Sequence, residues 1–368
     1  MKYYLIAGEA SGDLHGSNLI RELKKTDSNA VFRAWGGDRM QEQGAELVVH
    51  NRHMAYMGFV EVLANIRTIG KLLDKCKKDI KEFNPDVVIL IDYPGFNLRI
   101  AKYVKKIGIR VFYYISPQLW AWKRSRISQI KKWVDRMFVI LPFEKEFYQR
   151  YGVDVEFQGH PLLDEISSFK QQTDSSLQKK YAIKPVIAIL PGSRKQEVIK
   201  MLSVMVKIIP FFPNYKFVVA GYGSLPESLY KDIIKGYDVN LVFNQTYPLL
   251  NIATAALVTS GTATLETALF KVVQVVCYKG NRISFEIAKR LVHVKYVSLV
   301  NLIMYRPVVK ELIQQQLNIS NLKFELDQIL TNQELIQKIK DNYQELETRL
   351  GGPGASARVA QLMFRYLN

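Results

Sequence analysis

Short apolar runs alternate along the chain with longer stretches whose apolar residues recur at helical spacing. That alternation predicts a parallel α/β sheet, with strands buried on both faces and helices laid over them. In the first half, Tyr3–Ala7, Val87–Ile91, Val111–Ile115 and Met137–Ile140 read as strands. The stretches near Gly16–Lys25, Glu61–Phe83, Leu98–Ile107 and Arg124–Trp133 read as helices, and Asn84-Pro85-Asp86 stops one of them before its strand. The second half repeats the scheme. Val186–Leu190 is followed by a helix to about Ile209, then come Lys216–Ala220 and Ala256–Thr259, and Val272–Tyr278 closes the series. Beyond Leu322 the pattern is wholly helical, broken by Gly351-Gly352-Pro353-Gly354 before a last helix.

The polar stretch Ser167–Lys184 separates the two series. It divides the chain into domains at 1–166 and 185–350, with the C-terminal helix 355–368 packing back on the first. A length of 368 residues suits two cores better than one. Two Rossmann-like domains with parallel sheets facing across a cleft make the GT-B architecture. In open parallel sheets ligands lie beyond the carboxyl ends of the strands, so the chemistry belongs in the loops just after them.

Four such loops carry it. Gly8-Glu9-Ala10-Ser11-Gly12-Asp13-Leu14-His15-Gly16 follows the first strand. Its small residues permit a tight strand-to-helix turn, and the helix start favours an anion or sugar oxygens. Read more plainly, it is a turn with Asp13 as N-cap. The dinucleotide fingerprint is not met, because the third glycine and the ribose acid are misplaced. Asp92-Tyr93-Pro94-Gly95-Phe96-Asn97 puts a carboxylate at the end of a buried strand, where a general base for an acceptor hydroxyl, or a helix cap, would sit. Pro191-Gly192-Ser193-Arg194 offers close approach, two amides and a guanidinium to a phosphate. Ser260-Gly261-Thr262-Ala263-Thr264-Leu265-Glu266 is a second hydroxyl-rich helix start, with Glu266 one turn in, and Gly221 ends another strand of this half. Surface and capping readings compete at both, but their pairing in one half points to a nucleotide.

Charge and composition narrow the partners. Lysine and arginine total 51 against 34 aspartate and glutamate, a net charge of +17, which implies an anionic partner. Charge alone does not choose among nucleic acid, acidic lipid headgroups and phosphorylated substrates. The two cysteines, Cys76 and Cys277, have no metal spacing and read as reduced thiols. No metal-ligand pattern stands out. The opening apolar run is too short for a signal peptide, and no run approaches the roughly 20 residues of a membrane span. Trp120-Ala121-Trp122-Lys123-Arg124 suits a membrane interface, a single nucleic-acid strand or a half-buried helix. Met57-Gly58-Phe59 lies in a run that could line an acyl groove or sit in the core.

Taken in order, these motifs resemble the bacterial lipid-A-disaccharide synthase family. The matching segments are Ala7–Asp13, Met57–Leu63, Ile91–Asn97, Tyr114–Trp122, Gly159-His160-Pro161-Leu162, Leu190–Arg194 and Ser260–Glu266. They run through both halves. The resemblance implies an inverting GT-B glycosyltransferase that joins UDP-2,3-diacylglucosamine to 2,3-diacylglucosamine 1-phosphate, releasing UDP. It implies work at the inner face of the cytoplasmic membrane on acylated glucosamine lipids. It also implies a homodimer, with exchanged C-terminal segments as one form. The family's essential aspartate falls on Asp92 and its phosphate-binding arginine on Arg194. Its Ser-Leu-Pro-Asn element reads Ser298-Leu299-Val300-Asn301, and its Val-Pro-Glu-Leu element reads Val309-Lys310-Glu311-Leu312, so two prolines are replaced.

The combined expectation is specific. Asp92, His15 and Asp13 are the catalytic candidates, with the base open between Asp92 and His15. Gly192, Ser193, Arg194, Gly221, Ser260, Gly261, Thr262, Ala263, Thr264 and Glu266 hold the nucleotide. Glu9, Ser11, Asn97, Asn301, Glu311 and Gln315 meet the sugars. Met57, Phe59, Trp120, Trp122, Lys123 and Arg124 meet acyl chains or membrane. No cofactor and no metal are expected, since the UDP-sugar is a substrate, and nucleic acid is not the expected partner. Another GT-B enzyme acting on UDP-N-acetylglucosamine, an epimerase or a peptidoglycan-lipid transferase, is the nearer alternative.

Overall fold

β1 (Lys2–Ala7) shows why its strand forms where it does. Tyr4 and Ile6 enter one core cluster while Tyr3, Leu5 and Ala7 enter another, the period-two division of a strand covered on both faces. The computed structural model describes residues 1–54, 66–121, 124–171, 176–280 and 295–368. The chain forms two units, Met1–Asp164 with Leu350–Asn368, and Glu165–Arg349. The stretch 167–184, expected as the boundary, falls inside the second unit. It carries the helix Ser176–Lys180, whose Leu177 joins that unit's core.

The first unit adds β2 (Val31–Gly36), β3 (Glu46–His50), β4 (Val87–Ile91), β5 (Arg110–Tyr114), β6 (Arg136–Val139) and the short β7 (Glu156–Phe157). All pairs are parallel, in the order β3-β2-β1-β4-β5-β6-β7. β2, β3 and β7 went unread in the sequence because they are edge or near-edge strands with polar positions. Helix α1 (Ala10–Thr26) follows β1, and α2 (Asp38–Glu42) follows β2. The last helix, Ala355–Leu367, packs beside α1 and sends Val359, Ala360 and Met363 into the core face that holds Tyr3 and Leu5. Its start is fastened by Asp164, whose carboxylate accepts from the amides of Gly354, Ala355 and Ser356.

The second unit comprises β8 (Val186–Leu190), β9 (Lys216–Gly221), β10 (Val239–Phe243), β11 (Ala253–Thr259), β12 (Val273–Tyr278) and β13 (Lys310–Ile313). Their order is β10-β9-β8-β11-β12-β13, again parallel throughout. β12 does not close the series as the sequence suggested. β13 pairs outside it, four residues long and too short to announce itself by periodicity.

Both sheets share one topology. Strand order runs outward from the first strand in one direction, then restarts beside it with the fourth. The switch point therefore lies between β1 and β4 in one unit and between β8 and β11 in the other. Ligand-binding crevices open at such points. The four loops singled out in the sequence follow these four strands.

Candidate active site

In the first unit Gly8 leaves β1 packed against the ring of Tyr93. A Cβ there would lie 2.5 Å from that ring, so only glycine fits the approach. Glu9 is the N-cap residue of α1, and Glu9, Ala10 and Ser11 are exposed. Asp13 is not the cap of its own helix, which corrects the capping reading, and its carboxylate is engaged by backbone rather than left free for catalysis. Its buried carboxylate accepts from the amides of Gly37 (2.7 Å), Met40 (3.1 Å) and Arg39 (3.2 Å), so it caps α2. His15 is buried one turn on. Burial lowers its pKa to about 4, against a smaller opposing pull from Asp164.

Asp92 sits where β4 ends, in a turn of unusual backbone. Asp92 (φ 42°), Tyr93 (φ 52°) and Ile115 (φ 66°) of the neighbouring loop are all left-handed, a conformation that costs non-glycine residues about 1–3 kcal/mol each. The turn is held by its surroundings. The Asp92 amide donates to the carbonyls of Tyr114 and Ile115, and the Asp92 carbonyl accepts from the Tyr113 hydroxyl (2.5 Å) and the Asn97 side-chain amide (2.8 Å). Burial raises the Asp92 pKa to about 7, reinforced by the nearby Glu9 charge and opposed by the Tyr93 amide. Asn97 is a correction. It is fully buried, and its amide also reaches the carbonyls of Ile6 and Ile91, so it braces the turn rather than meeting a sugar.

The basic aromatic stretch divides. Trp120 is buried, edge-on to Phe143 at 5.1 Å, and so belongs to the core rather than to a membrane face. Arg124 is exposed in a short 3₁₀ turn, Arg124–Arg126. Met57, Phe59, Trp122 and Lys123 lie outside the described residues.

In the second unit the turn after β8 runs through Gly192 at φ 104° into the helix Lys195–Met205, with Arg194 as its N-cap residue. Gly192 is required twice over, by its φ and because a Cβ would meet Glu197 Oε2 at 2.8 Å. Ser193 and Arg194 are exposed, and among the described residues the guanidinium pairs with Glu197, at 3.2 Å with its side chain 76% exposed. After β11, Gly261 is the N-cap residue of the helix Thr262–Leu269, with Gly261 and Thr262 exposed at its start and Ala263 half-buried. Two hydroxyls there already donate to backbone, and for Thr264, which is fully buried, this corrects the assignment to the nucleotide. Ser260 donates to the Val297 carbonyl, and Thr264, fully buried, donates to that of Gly261. Glu266 accepts from the Tyr247 hydroxyl at 3.1 Å, and burial raises its pKa. Gly221 is also corrected, since it is a buried strand residue covered by the Phe243 ring.

Asn301 and Glu311 form a knot instead of a sugar contact. Asn301 is buried, and its side chain bonds the backbone of Val308 and Val309 and the Glu311 carboxylate. Glu311 in turn accepts from the amides of Val297 and Ser298. Val300 stands next to Asn301 in this knot. It occupies the first turn of the helix Leu299–Met304, a position open to proline and to ordinary residues alike. Lys310 begins β13 and pairs with Glu325. Gln315 is exposed. Tyr113 and Gln314 are the residues that sequence reading missed. Tyr113 looks like any strand aromatic, and Gln314 shows itself only by its left-handed φ of 53° and its buried, unpartnered Nε2. Among the described residues no group of three or more His, Cys, Asp or Glu side chains is arranged to hold a metal ion.

Each unit thus has a built end to its sheet. One presents a carboxyl with an elevated pKa, the other a glycine turn, exposed helix-start amides and a guanidinium. Comparison with known proteins gives these ends a context. A family model described as Lipid-A-disaccharide synthetase matches residues 3–363. A lipid-A-disaccharide synthase of Trichlorobacter lovleyi is 37% identical over 367 residues, covering 98% of this chain and 96% of that one. One of Syntrophus aciditrophicus is 40% identical over 366 residues, covering 97% and 95%. Among solved structures, the UDP-GlcNAc 2-epimerase from Neisseria meningitidis bound to UDP-GlcNAc superposes with a TM-score of 0.72 at 14% identity, covering 99% of this chain and all of that one. CalG4, the calicheamicin glycosyltransferase, superposes with a TM-score of 0.63 at 14% identity, covering 100% and 98%. At such identities the structures share the GT-B fold and nothing further.

Proposed function

The chain belongs to the lipid-A-disaccharide synthase family, and from that premise we propose how its two units divide the reaction. The protein is a glycosyltransferase that forms the lipid A disaccharide from acylated glucosamine precursors. The donor we assign is UDP-2,3-diacylglucosamine and the acceptor 2,3-diacylglucosamine 1-phosphate. The second unit takes the UDP moiety at the ends of β8 and β11. The amides of Ser193, Thr262 and Ala263 and the Arg194 guanidinium meet its phosphates. The first unit takes the acceptor near Glu9 and Ser11.

Asp92 is the general base. Its carboxylate removes the proton from the attacking acceptor hydroxyl as that oxygen bonds to C1 of the donor sugar. The bond from C1 to the UDP oxygen breaks on the opposite face, which inverts the configuration. Arg194 and the helix-start amides stabilise the charge gathering on the diphosphate, so no metal is needed for that task. The observation that carries this assignment is the place of Asp92 at the carboxyl end of a strand beside the switch point, where burial and the Glu9 charge raise its pKa to about 7. A base works best with a pKa near the working pH. His15, at about 4, is the weaker base by that criterion and serves from within the core.

Work at the inner face of the cytoplasmic membrane fits the net charge of +17, which favours anionic headgroups. No helix among the described residues is long and apolar enough to cross a membrane. A homodimer and the absence of a nucleic-acid partner complete the proposal. The test is incubation with the two acylated sugars, followed by mass analysis for the disaccharide 1-phosphate. Asp92→Asn should lower turnover about 10³-fold while UDP affinity stays within twofold. Equal turnover with a deacylated donor would move the assignment toward UDP-N-acetylglucosamine chemistry, and an active Asp92→Asn would remove Asp92 from the mechanism.

A further inference from the structure

A left-handed turn at Asp92 and Tyr93 does not hold itself, because each residue pays for its backbone conformation. Something must over-determine it. The Asp92 peptide is fixed on every side. Its N–H is shared between the carbonyls of Tyr114 and Ile115, and its C=O takes two donors, the Tyr113 hydroxyl and the Asn97 amide. Both donors are fully buried and come from different elements, β5 and the helix Pro94–Lys106. Asn97 further ties the turn to the carbonyls of Ile6 in β1 and Ile91 in β4. It therefore links the two strands that flank the switch point. From the other side, Tyr113 adds a side-chain clamp to the backbone bonds that Tyr114 and Ile115 already supply.

A tyrosine in this strand is not explained by packing alone. β5 already presents Phe112 to the sheet, and phenylalanine would fill the Tyr113 site at the same size without a buried hydroxyl to satisfy. The oxygen at Tyr113 finds its partner on the peptide that bears the proposed base.

We propose that Tyr113 and Asn97 are positioning residues for glycosyl transfer: their two hydrogen bonds to the Asp92 carbonyl lock the strained turn and so keep the Asp92 carboxylate in its partly desolvated place at the end of β4. This rests on Asp92 as the base. Neither residue touches substrate in this scheme. Both act through one peptide group. The charged and titratable groups facing Asp92 are Glu9 from the start of α1, Tyr93 from its own turn and Tyr113 from β5, with Arg126 and Tyr148 beyond Tyr113.

The decisive variant is Tyr113→Phe, which removes one oxygen. With the turn free to relax, the carboxylate gains water and its pKa falls. The base becomes weaker and less well placed, for which a displacement of about 1 Å can cost 10²-fold. We expect kcat to fall 10- to 100-fold with KM for both substrates within threefold, and the acid limb of the kcat/KM profile to move down by about one pH unit. Asn97→Ala should move the same two quantities in the same directions. Tyr148→Phe is the control. Its hydroxyl bonds Ser116 in the same core and does not touch the Asp92 peptide, so its loss should lower stability without moving the acid limb. Circular dichroism and UDP titration establish that each variant is folded. Wild-type kcat and an unmoved acid limb in a folded Tyr113→Phe overturn the proposal, as does an equal shift in Tyr148→Phe. An active Asp92→Asn is a different failure, of the base itself, and is read from that variant alone.

Discussion

Two aspartates at the same end of one sheet meet opposite fates. Asp13 is surrounded by backbone amides and spends its charge on the start of α2. Asp92 is largely withdrawn from water beside the second carboxylate of Glu9, so its charge is disfavoured and its proton affinity rises. The difference decides which one does chemistry. Asp13→Ala leaves three helix-start amides without their acceptor and should destabilise the first unit by about 2–3 kcal/mol. Turnover by the folded fraction should stay within about tenfold of wild type. Thermal melting alongside initial rates checks this. A native melting curve with turnover lost a thousandfold would return Asp13 to the catalytic set. Sequence alone could not separate the two residues, because each is an acid in a strand-to-helix loop. What tells them apart is the backbone around them, and for Asp13 that backbone comes from α2, 24 residues or more away in the chain.

At the level of elements, the loops between strands and helices were legible and the partners of their side chains were not. Gly192 was assigned to a phosphate turn from its neighbours alone, and its φ of 104° explains why a glycine stands there. Gly192→Ala should strain the turn and press on Glu197, costing UDP at least tenfold in affinity by calorimetric titration. Unchanged affinity would place the nucleotide elsewhere. The buried strands β1, β4, β8 and β11 were readable because four or more apolar residues in a row allow little else. The edge strands β3, β10 and β13 were not, since a half-solvated strand keeps polar residues that break the run. Ser260, Thr264, Asn301 and Glu311 were legible as polar residues at loop and helix starts. That they bond backbone rather than ligand depends on Val297, Gly261, Val308 and Val309, which no local pattern discloses.

Across the whole first unit, buried ionisable groups set an unusual response to pH. His15 and His160 are buried neutral, at about 4 and about 3, against an ordinary value of 6.5. On unfolding they take up protons below pH 6.5, so acidification from there costs stability. Asp92 and Glu144 go the other way. Burial raises them to about 7 and about 8, so the folded unit keeps protons that the unfolded chain has already released above pH 4 to 5. Rising pH costs stability through that window. Between about 4.5 and 6.5 the two pairs oppose each other, and above 6.5 the histidine contribution fades while the carboxyls still titrate. The unit should therefore hold a plateau to pH 6.5 and lose about 1–2 kcal/mol by pH 8. All four tryptophans, Trp35, Trp120, Trp122 and Trp133, belong to the first unit, so their fluorescence follows its melting alone. Stability that climbs steadily from pH 6.5 to 8 would contradict the assignment.

The return of Leu350–Asn368 to the first unit has a consequence for synthesis. The sheet that leaves the ribosome first cannot be sealed on one face until a segment made after the whole second unit arrives to cover Tyr3 and Leu5. The second unit, continuous in the chain, can finish first. The nascent protein must carry an unfinished amino-terminal half through most of its translation, with a greasy surface in search of its lid.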